Sequence, residues 1–189
     1  MVLRLVLFAG LVLHKLVWEV LKRKDGASAV DRQSSTRRPR TGVKLLKALV
    51  LCFLVTQTLF LNVLPILRRP GRLALFGTVI YLLGLSLALA GRMQLGRNWS
   101  DLEDSRVLPD QSLVTRGIYQ YVRHPIYAGD VLLLAGVELA LNSWLVLGVA
   151  APALLAARQA FTEEAMLAEA FTEYDAYRKR TKMFIPLVI

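Results

Sequence analysis

The fold of this chain is decided by a long apolar stretch in its second half, residues 125–161, which reads PIYAGDVLLLAGVELALNSWLVLGVAAPALLAARQAF. A helix needs about 20 apolar residues to cross the roughly 30 Å hydrocarbon core of a membrane, so the stretch is long enough for two crossings. Asn142 and Ser143 are polar and lie near its middle. The sequence therefore predicts two antiparallel membrane-spanning helices, 125–142 and 144–161, joined by a very short turn.

Further apolar segments precede this hairpin. Residues 43–67 and 73–91 are each long enough to span a membrane, and a first helix begins near the N-terminus with the apolar run 5–13. The whole chain has 55% hydrophobic residues and a mean hydropathy of +0.46. After the hairpin, residues 161–180 repeat apolar side chains with helical spacing. We expect an all-α, polytopic transmembrane helical bundle of about five spans with a cytosolic C-terminal helix.

The net charge of +10 comes from Lys and Arg residues that lie between the apolar segments. Residues 21–47 contain nine of them, and cytosolic loops are enriched in such residues. This distribution is typical of membrane topology, so we expect no nucleic-acid partner. It predicts a multi-pass protein with its N-terminus outside and its C-terminus in the cytosol. Arg68, Arg69 and Arg72 then face outside, against the usual tendency.

A sharp turn near residue 143 also predicts which residues of the two helices lie side by side. His124 comes opposite Glu163, at the cytosolic end of the hairpin. The residues expected to meet there are Arg123, His124, Tyr127, Glu163 and Glu164. Ionisable groups that are concentrated at one end of an apolar hairpin indicate a functional site.

The residue types in this cluster favour a zwitterionic ligand that carries a cation. Pro125 is suited to the first position of a helix, whose N-terminus attracts an anion such as a carboxylate. Glu163 and Glu164 offer negative charge to an ammonium or sulfonium group, and aromatic faces attract the same kind of cation. Those faces belong to Tyr119, Tyr121 and Tyr127. In the alternative interpretation, the basic residues anchor a helix at the headgroups and the glutamates form a solvated helix face.

Four polar residues fall inside the apolar helices, where they are costly unless they face other helices or water. Asp130 lies below His124 and either borders the pocket or faces the bundle. Glu138 and Asn142 lie near the far surface, where a structural polar contact is expected. His14 in the first helix is interfacial or faces the bundle.

Several short motifs then follow one another in a specific order. LGRNWS occupies residues 95–100, LVTRGIY residues 113–119, and YVRHPIYAG residues 121–129. Glu163-Glu164 and the closing FIP of residues 184–186 come after them. Together these motifs resemble the isoprenylcysteine carboxyl methyltransferase family, a group of membrane methyltransferases with phospholipid methyltransferase relatives.

The resemblance covers about residues 93–187, half of the chain. It implies that residues 92–189 form an S-adenosylmethionine-binding methyltransferase core of connecting loop, hairpin and C-terminal helix, and that 1–91 supply N-terminal transmembrane helices with a basic cytosolic loop. It also implies a cytosol-facing site that binds S-adenosyl-L-methionine and releases S-adenosyl-L-homocysteine. The expected partners are membrane lipids and a lipophilic small molecule or lipid, which enters as substrate from the bilayer.

The resemblance assigns roles to particular residues of this chain. The implied cofactor-binding residues are Thr115, Gly117, Tyr119, His124, Pro125, Tyr127, Gly129, Glu163 and Glu164. The implied catalytic residues are Arg123, Arg158 and Glu163. The family usually has an arginine four residues before the first of the paired glutamates, but this chain has Gln159 there, with Arg158 beside it. With Cys52 as the single cysteine, no metal site is expected.

The acceptor of the methyl group stays open at this point. An isoprenylcysteine-like carboxylate needs no base, whereas a phospholipid amine or a thiol must lose a proton, and then His124 or a glutamate is the candidate base. A non-enzymatic membrane scaffold or carrier that keeps the fold without the reaction is the competing class.

Overall fold

The computed structural model describes residues 1–25, 41–98 and 111–185, and within these ranges the chain is helical with isolated β-bridges. Three short 3-10 helices cover Gly96–Asn98, Gly117–Gln120 and Trp144–Val149. The α-helices of the described ranges are α1 (Val2–Asp25), α2 (Thr41–Phe60), α3 (Gly71–Leu95), α4 (Pro125–Ala140), α5 (Ala150–Ala170) and α6 (Tyr174–Arg180). The predicted all-α class is confirmed.

Within the described residues, two helical segments are long and apolar enough to cross a membrane, Gly71–Asn98 and Trp144–Ala170. A shorter apolar helix covers Ala48–Phe60. The two long segments correspond to the predicted third and fifth spans. The total of five spans stays a prediction.

The second predicted span, 43–67, is wrong at its C-terminal boundary. Helix α2 ends at Phe60, and the chain is irregular from there to Pro70. This irregular segment pairs with the turn of the hairpin, because the amide of Ile66 donates to the carbonyl of Asn142 at 2.9 Å. The side-chain oxygen of Asn142 accepts from the amide of Leu67 at 2.9 Å, and its side-chain nitrogen donates to the carbonyl of Leu67 at 2.7 Å. These tertiary hydrogen bonds replace those of a longer helix.

The boundary predicted at Phe161 between the fifth span and a separate C-terminal helix is also wrong. Helix α5 runs without a break from Ala150 to Ala170, because no proline or glycine interrupts it after Pro152. The helix ends at Phe171, whose backbone is extended with φ −125° and ψ 114°. The predicted helix 161–180 is therefore the last part of α5 followed by the short helix α6.

The tightest packing in the described chain joins α3 and α4 through glycines. A Cβ atom at Gly77 would lie 2.2 Å from the amide nitrogen of Ala140, and one at Gly84 would lie 2.4 Å from that of Leu133. A Cβ at Gly91 would lie 3.0 Å from the side chain of Ile126 and 3.3 Å from its amide nitrogen. These three glycines recur every seven residues, a spacing that places them on one face of α3 and predicts close packing against a neighbouring helix. The neighbour is the antiparallel α4, and we call this contact the seam between α3 and α4.

Helix α1 packs against both α3 and α4. The hydroxyl of Tyr81 donates to the carbonyl of Leu7 at 2.6 Å, and its ring lies against Gly10. Leu7 and Leu11 join a buried cluster with residues of α3 and α4. This contact places the C-terminal half of α1 beside the start of α4, where the ionisable cluster lies.

Arg4 of α1 forms hydrogen bonds with the C-terminal end of α2 and the two residues after it. Its guanidinium donates to the carbonyls of Gln57, Thr58 and Leu61 at 2.9 to 3.0 Å, and to the side-chain oxygen of Asn62 at 2.6 Å. The last carbonyls of a helix have no partner within the helix, and Arg4 bonds such a group at Thr58. The carbonyl of Gln57 also accepts from the amide of Leu61, at 3.2 Å.

Replacing Arg4 with methionine is expected to lower the free energy of unfolding by about 1–3 kcal/mol, because charge-assisted hydrogen bonds are lost while the apolar stem is kept. Thermal unfolding in detergent micelles measures this change. The control is Arg72→Met, at an exposed position on α3. Equal melting temperatures for the two variants would contradict the role of Arg4.

Candidate ligand cavity at the open end of the hairpin

The segment that precedes α4 is held by the C-terminal end of the described chain. The amides of Arg123 and His124 donate to the carbonyls of Lys182 and Met183 at 2.8 and 3.0 Å, and the amide of Lys182 donates back to Tyr121 at 3.0 Å. The backbone is therefore paired up to the residue before Pro125, which takes the first position of α4. This pairing fixes two basic side chains at the start of α4.

Arg123 forms a buried ion pair with Glu164 of α5. The distance from Nε to Oε1 is 2.7 Å, and both side chains are less than a tenth exposed. The same guanidinium donates to the carbonyl of Thr181 at 2.6 Å, and Arg178 approaches the other oxygen of Glu164 at 3.6 Å. Arg123 thus connects α4, α5 and the C-terminal segment.

His124 lies between the two glutamates of α5. Its Nε2 is 3.3 Å from Oε1 of Glu164, and its Nδ1 is 3.7 Å from Oε2 of Glu163. The hydroxyl of Tyr127 donates to Glu163, which also accepts a bond from Gln159 at 3.4 Å. The structure therefore brings together all five residues that the hairpin geometry placed at this end.

A cavity of about 160 Å³ lies beside this cluster. Apolar side chains that include Ile126, Met166 and Leu167 form part of its wall. The aromatic residues in the wall are Trp18, Tyr119, Tyr127, Tyr174 and Tyr177. The ionisable residues other than tyrosine that line it are Arg123, His124, Asp130 and Glu163. Such an apolar pocket with a few converging polar groups is typical of a small-molecule site.

Two buried tyrosines fix the loop beneath the cavity. The hydroxyl of Tyr177 donates to the carbonyl of Tyr119 at 2.7 Å, and that of Tyr119 donates to the carbonyl of Gly91 at 3.2 Å. Burial raises the pKa of Tyr177 to about 12 and also raises the pKa of Tyr119. Both phenols therefore remain protonated donors at neutral pH.

Several predicted site residues do not line the cavity. Arg158 is exposed on α5, so the geometry gives no support to the catalytic role predicted for it. Gly129 is part of the seam between α3 and α4, where a Cβ would lie 2.5 Å from the amide nitrogen of Ala88. Thr115 lies in the half-buried segment before Tyr119. Their predicted roles stay predictions.

Three further predicted site residues, Gly117, Pro125 and Glu164, also do not line the cavity. Gly117 has φ +63°, a conformation that favours glycine, and the side chain of Gln94 occupies the place of a Cβ there. Pro125 is buried against Gly91 at the start of α4. Glu164 is engaged by Arg123 and His124. These residues shape the site indirectly.

Helix α1 contributes to the cavity, which the sequence did not predict. Trp18 lines it, and the ring of Trp18 stacks on His14 with centroids 4.2 Å apart. His14 in turn lies 2.9 Å from the carboxylate of Asp130. The available signal was the four-residue spacing of His14 and Trp18, which places both on one helix face.

The fold and the cavity define a helical integral membrane protein with a candidate ligand cavity at one end of an apolar bundle. The chain matches the model of the phospholipid methyltransferase family over residues 73–174, which is more than half of its length. The chain therefore belongs to this family, and the resemblance to membrane methyltransferases noted in the sequence is confirmed.

Two curated relatives are similar to the chain. It is 32% identical over 155 residues to protein-S-isoprenylcysteine O-methyltransferase of Schizosaccharomyces pombe, with 76% of this chain and 66% of the relative covered. It is 36% identical over 107 residues to the cobalt-zinc-cadmium resistance protein CzcN of Cupriavidus metallidurans, with 56% and 47% covered. The chain thus spans from about half to just under two thirds of the length of these relatives.

A solved structure shares the fold. The eukaryotic intramembrane Ras methyltransferase ICMT superimposes with a TM-score of 0.63 at 21% identity, and the match covers 98% of this chain and 68% of that one. This likeness supports the membrane bundle but not the details of the site.

Proposed function

We propose that this protein is an integral membrane methyltransferase that moves a methyl group from S-adenosyl-L-methionine to a lipophilic acceptor. The observation that carries the proposal is the meeting of His124, Tyr127 and Glu163 at one cavity wall, within the part of the chain that matches the family. The acceptor we favour is an isoprenylcysteine-like carboxylate, because the yeast relative is named for such a substrate.

The residues present fit the methyl donor. Its sulfonium cation is complementary to the carboxylate of Glu163 and to the aromatic faces of Tyr119 and Tyr127, all of which line the cavity. Its amino-acid end is zwitterionic, and His124 with Glu163 offers a hydrogen-bonding wall to it. When bound, the donor supplies a methyl group that the positive sulfur already activates.

The chain itself has to hold and orient the reactants. The hydroxyl of Tyr127 donates a hydrogen bond to Glu163 and so orients that carboxylate at the wall. Glu164 fixes the ring of His124 through Nε2 and anchors Arg123. Apolar residues such as Met166 and Leu167 exclude water from the site, and a displacement at carbon gains mainly from such alignment and exclusion.

The charge distribution supports a cytosolic orientation of the cavity. Trp18 lines the cavity near the C-terminal end of α1, which continues into Lys22, Arg23 and Lys24. Arg178, Lys179 and Arg180 end α6 at the same end of the bundle. Positive residues accumulate on cytosolic surfaces, so we place this end of a multi-pass protein in the cytosol.

A second candidate acceptor is an amine, and two observations favour it. Asp130 adds a carboxylate to the cavity wall, and Gln159 replaces the family arginine that is suited to a carboxylate substrate. A negative wall without that arginine attracts a cationic acceptor more than an anionic one.

Methyl transfer tests the proposal. Purified protein with methyl-labelled S-adenosyl-L-methionine and an S-prenylcysteine is expected to form a labelled ester that releases methanol in base. Glu163→Gln is expected to lower the rate at least about tenfold, the equivalent of one charge-assisted contact. The matched control is Glu169→Gln, an exposed glutamate of the same helix. A base-stable product would favour the amine, and absence of any labelled product would contradict the proposal.

A further inference from the structure

Part of the cavity wall is built by α1 and the first half of α4. Trp18 and Asp130 both line the cavity there. Behind them His14 connects the two, because its ring stacks on Trp18 at an interplanar angle of 21° and its Nε2 lies 2.9 Å from Oδ1 of Asp130. The three side chains therefore form one cluster, the α1 cluster.

His14 orients Asp130 but does not exhaust its bonding capacity. An ionised carboxylate has about four acceptor positions on its two oxygens, and the bond from His14 uses one of them. The side chain of Asp130 is 40% exposed, whereas that of His14 is 23% exposed. A ligand in the cavity therefore reaches the carboxylate rather than the imidazole.

The basic groups of the cavity wall, Arg123 and His124, already pair with the glutamates of α5. Arg123 is the one guanidinium among the described residues that line the cavity, and it is bound to Glu164 and to the carbonyl of Thr181. His124 lies between the two glutamates of α5. The α1 cluster thus presents negative charge and an indole face to the ligand.

From this arrangement we infer that His14, Trp18 and Asp130 form a subsite for an ammonium group of the acceptor substrate. Asp130 supplies the ion pair, Trp18 the aromatic face, and His14 positions both. The inference rests on the proposed function, since it requires the methyl donor to occupy the wall of Glu163. Two sources share this chemistry: the amino group of an isoprenylcysteine-like compound and the headgroup amine of an ethanolamine phospholipid.

Equilibrium binding tests the subsite without turnover. With S-adenosyl-L-homocysteine at saturation, wild-type protein is expected to bind an S-prenylcysteine with a free amino group about tenfold more tightly than its N-acetyl form. Asp130→Asn is expected to remove this preference and to leave the Kd of S-adenosyl-L-homocysteine unchanged. The control is Asp175→Asn, an exposed aspartate on α6. Trp18→Leu, which keeps every charge, is expected to reduce the preference as well.

A parallel titration with a short-chain phosphatidylethanolamine and its N-acetylated form distinguishes the two sources. A preference for the free amine in one series, lost in Asp130→Asn, identifies that molecule class as the occupant. The inference is overturned if Asp130→Asn and Trp18→Leu leave both preferences unchanged, or if they weaken binding of S-adenosyl-L-homocysteine instead. Wild-type protein that does not bind S-adenosyl-L-homocysteine overturns the proposed function itself, and the inference with it.

Discussion

Replacing Gly84 with leucine is expected to lower the free energy of unfolding by more than about 3 kcal/mol, because the seam between α3 and α4 has no room for a side chain. A Cβ atom there would lie 2.4 Å from the amide nitrogen of Leu133 and 2.7 Å from the carbonyl oxygen of Gly129. Both are backbone atoms, so the helices must separate along their length, which costs more than the usual 1–3 kcal/mol, roughly, of an overpacked core.

Thermal unfolding in detergent micelles measures the effect of Gly84→Leu. The matched control is Gly71→Leu at the start of the same helix, where a Cβ meets nothing within 4 Å. The seam is contradicted if both variants melt at the temperature of the wild type. Because the start of α4 carries His124 and Pro125, loss of the seam is also expected to displace the cavity wall.

Replacing Glu164 with glutamine is expected to cost about 3 kcal/mol, since it leaves Arg123 buried beside a neutral partner. The Arg123 and Glu164 side chains are 9% and 5% exposed, so water cannot take over the role of the lost charge. The substitution also removes the negative oxygen that holds Nε2 of His124. Stability and ligand binding are therefore both expected to fall.

Two measurements separate these effects of Glu164→Gln. Unfolding in detergent measures the stability, and titration with S-adenosyl-L-homocysteine measures the affinity of the cavity for its ligand. Glu169→Gln on the exposed surface of α5 is expected to change neither. If the two variants have the same stability and the same affinity for S-adenosyl-L-homocysteine, the buried ion pair does not stabilise the contact between α4, α5 and the C-terminal segment.

The local sequence was sufficient to predict the features that depend on spacing along one helix or around one turn. The polar pair Asn142-Ser143 predicted the hairpin, and the turn fixed which residues of its arms meet, including His124 with Glu163. The glycines of α3 predicted a seam. Seven-residue spacing shows that a close neighbour exists but does not identify it, and α4 turned out to be that neighbour.

The features that depend on contacts between distant segments could not be predicted. The four-residue spacing of His14 and Trp18 puts both on one face of α1, but that this face meets the cavity follows from the contact of Tyr81 with Leu7 and Gly10. The end of α2 at Phe60 depends likewise on hydrogen bonds from the hairpin turn to the segment after it. The catalytic role that the resemblance implies for Arg158 stays a prediction, and its exposed side chain does not line the cavity.

The division of the chain into two domains at residue 91 stays a prediction, and several contacts cross this boundary. The seam joins α3, most of which lies before the boundary, to α4, which lies after it. Trp18 and Leu95 from the two sides of the boundary line the same cavity. We therefore expect that a fragment of residues 92–189 lacks one wall of the site.

Calorimetric titration of the purified full chain with S-adenosyl-L-homocysteine measures whether the cavity between α4 and α5 holds the methyl donor. We expect saturable binding of one molecule per chain, with a Kd that rises at least about tenfold in both His124→Ala and Glu163→Gln. Glu169→Gln is expected to bind like the wild type. No measurable binding by the wild type, or equal binding by all four proteins, would contradict a methyl-donor site in this cavity.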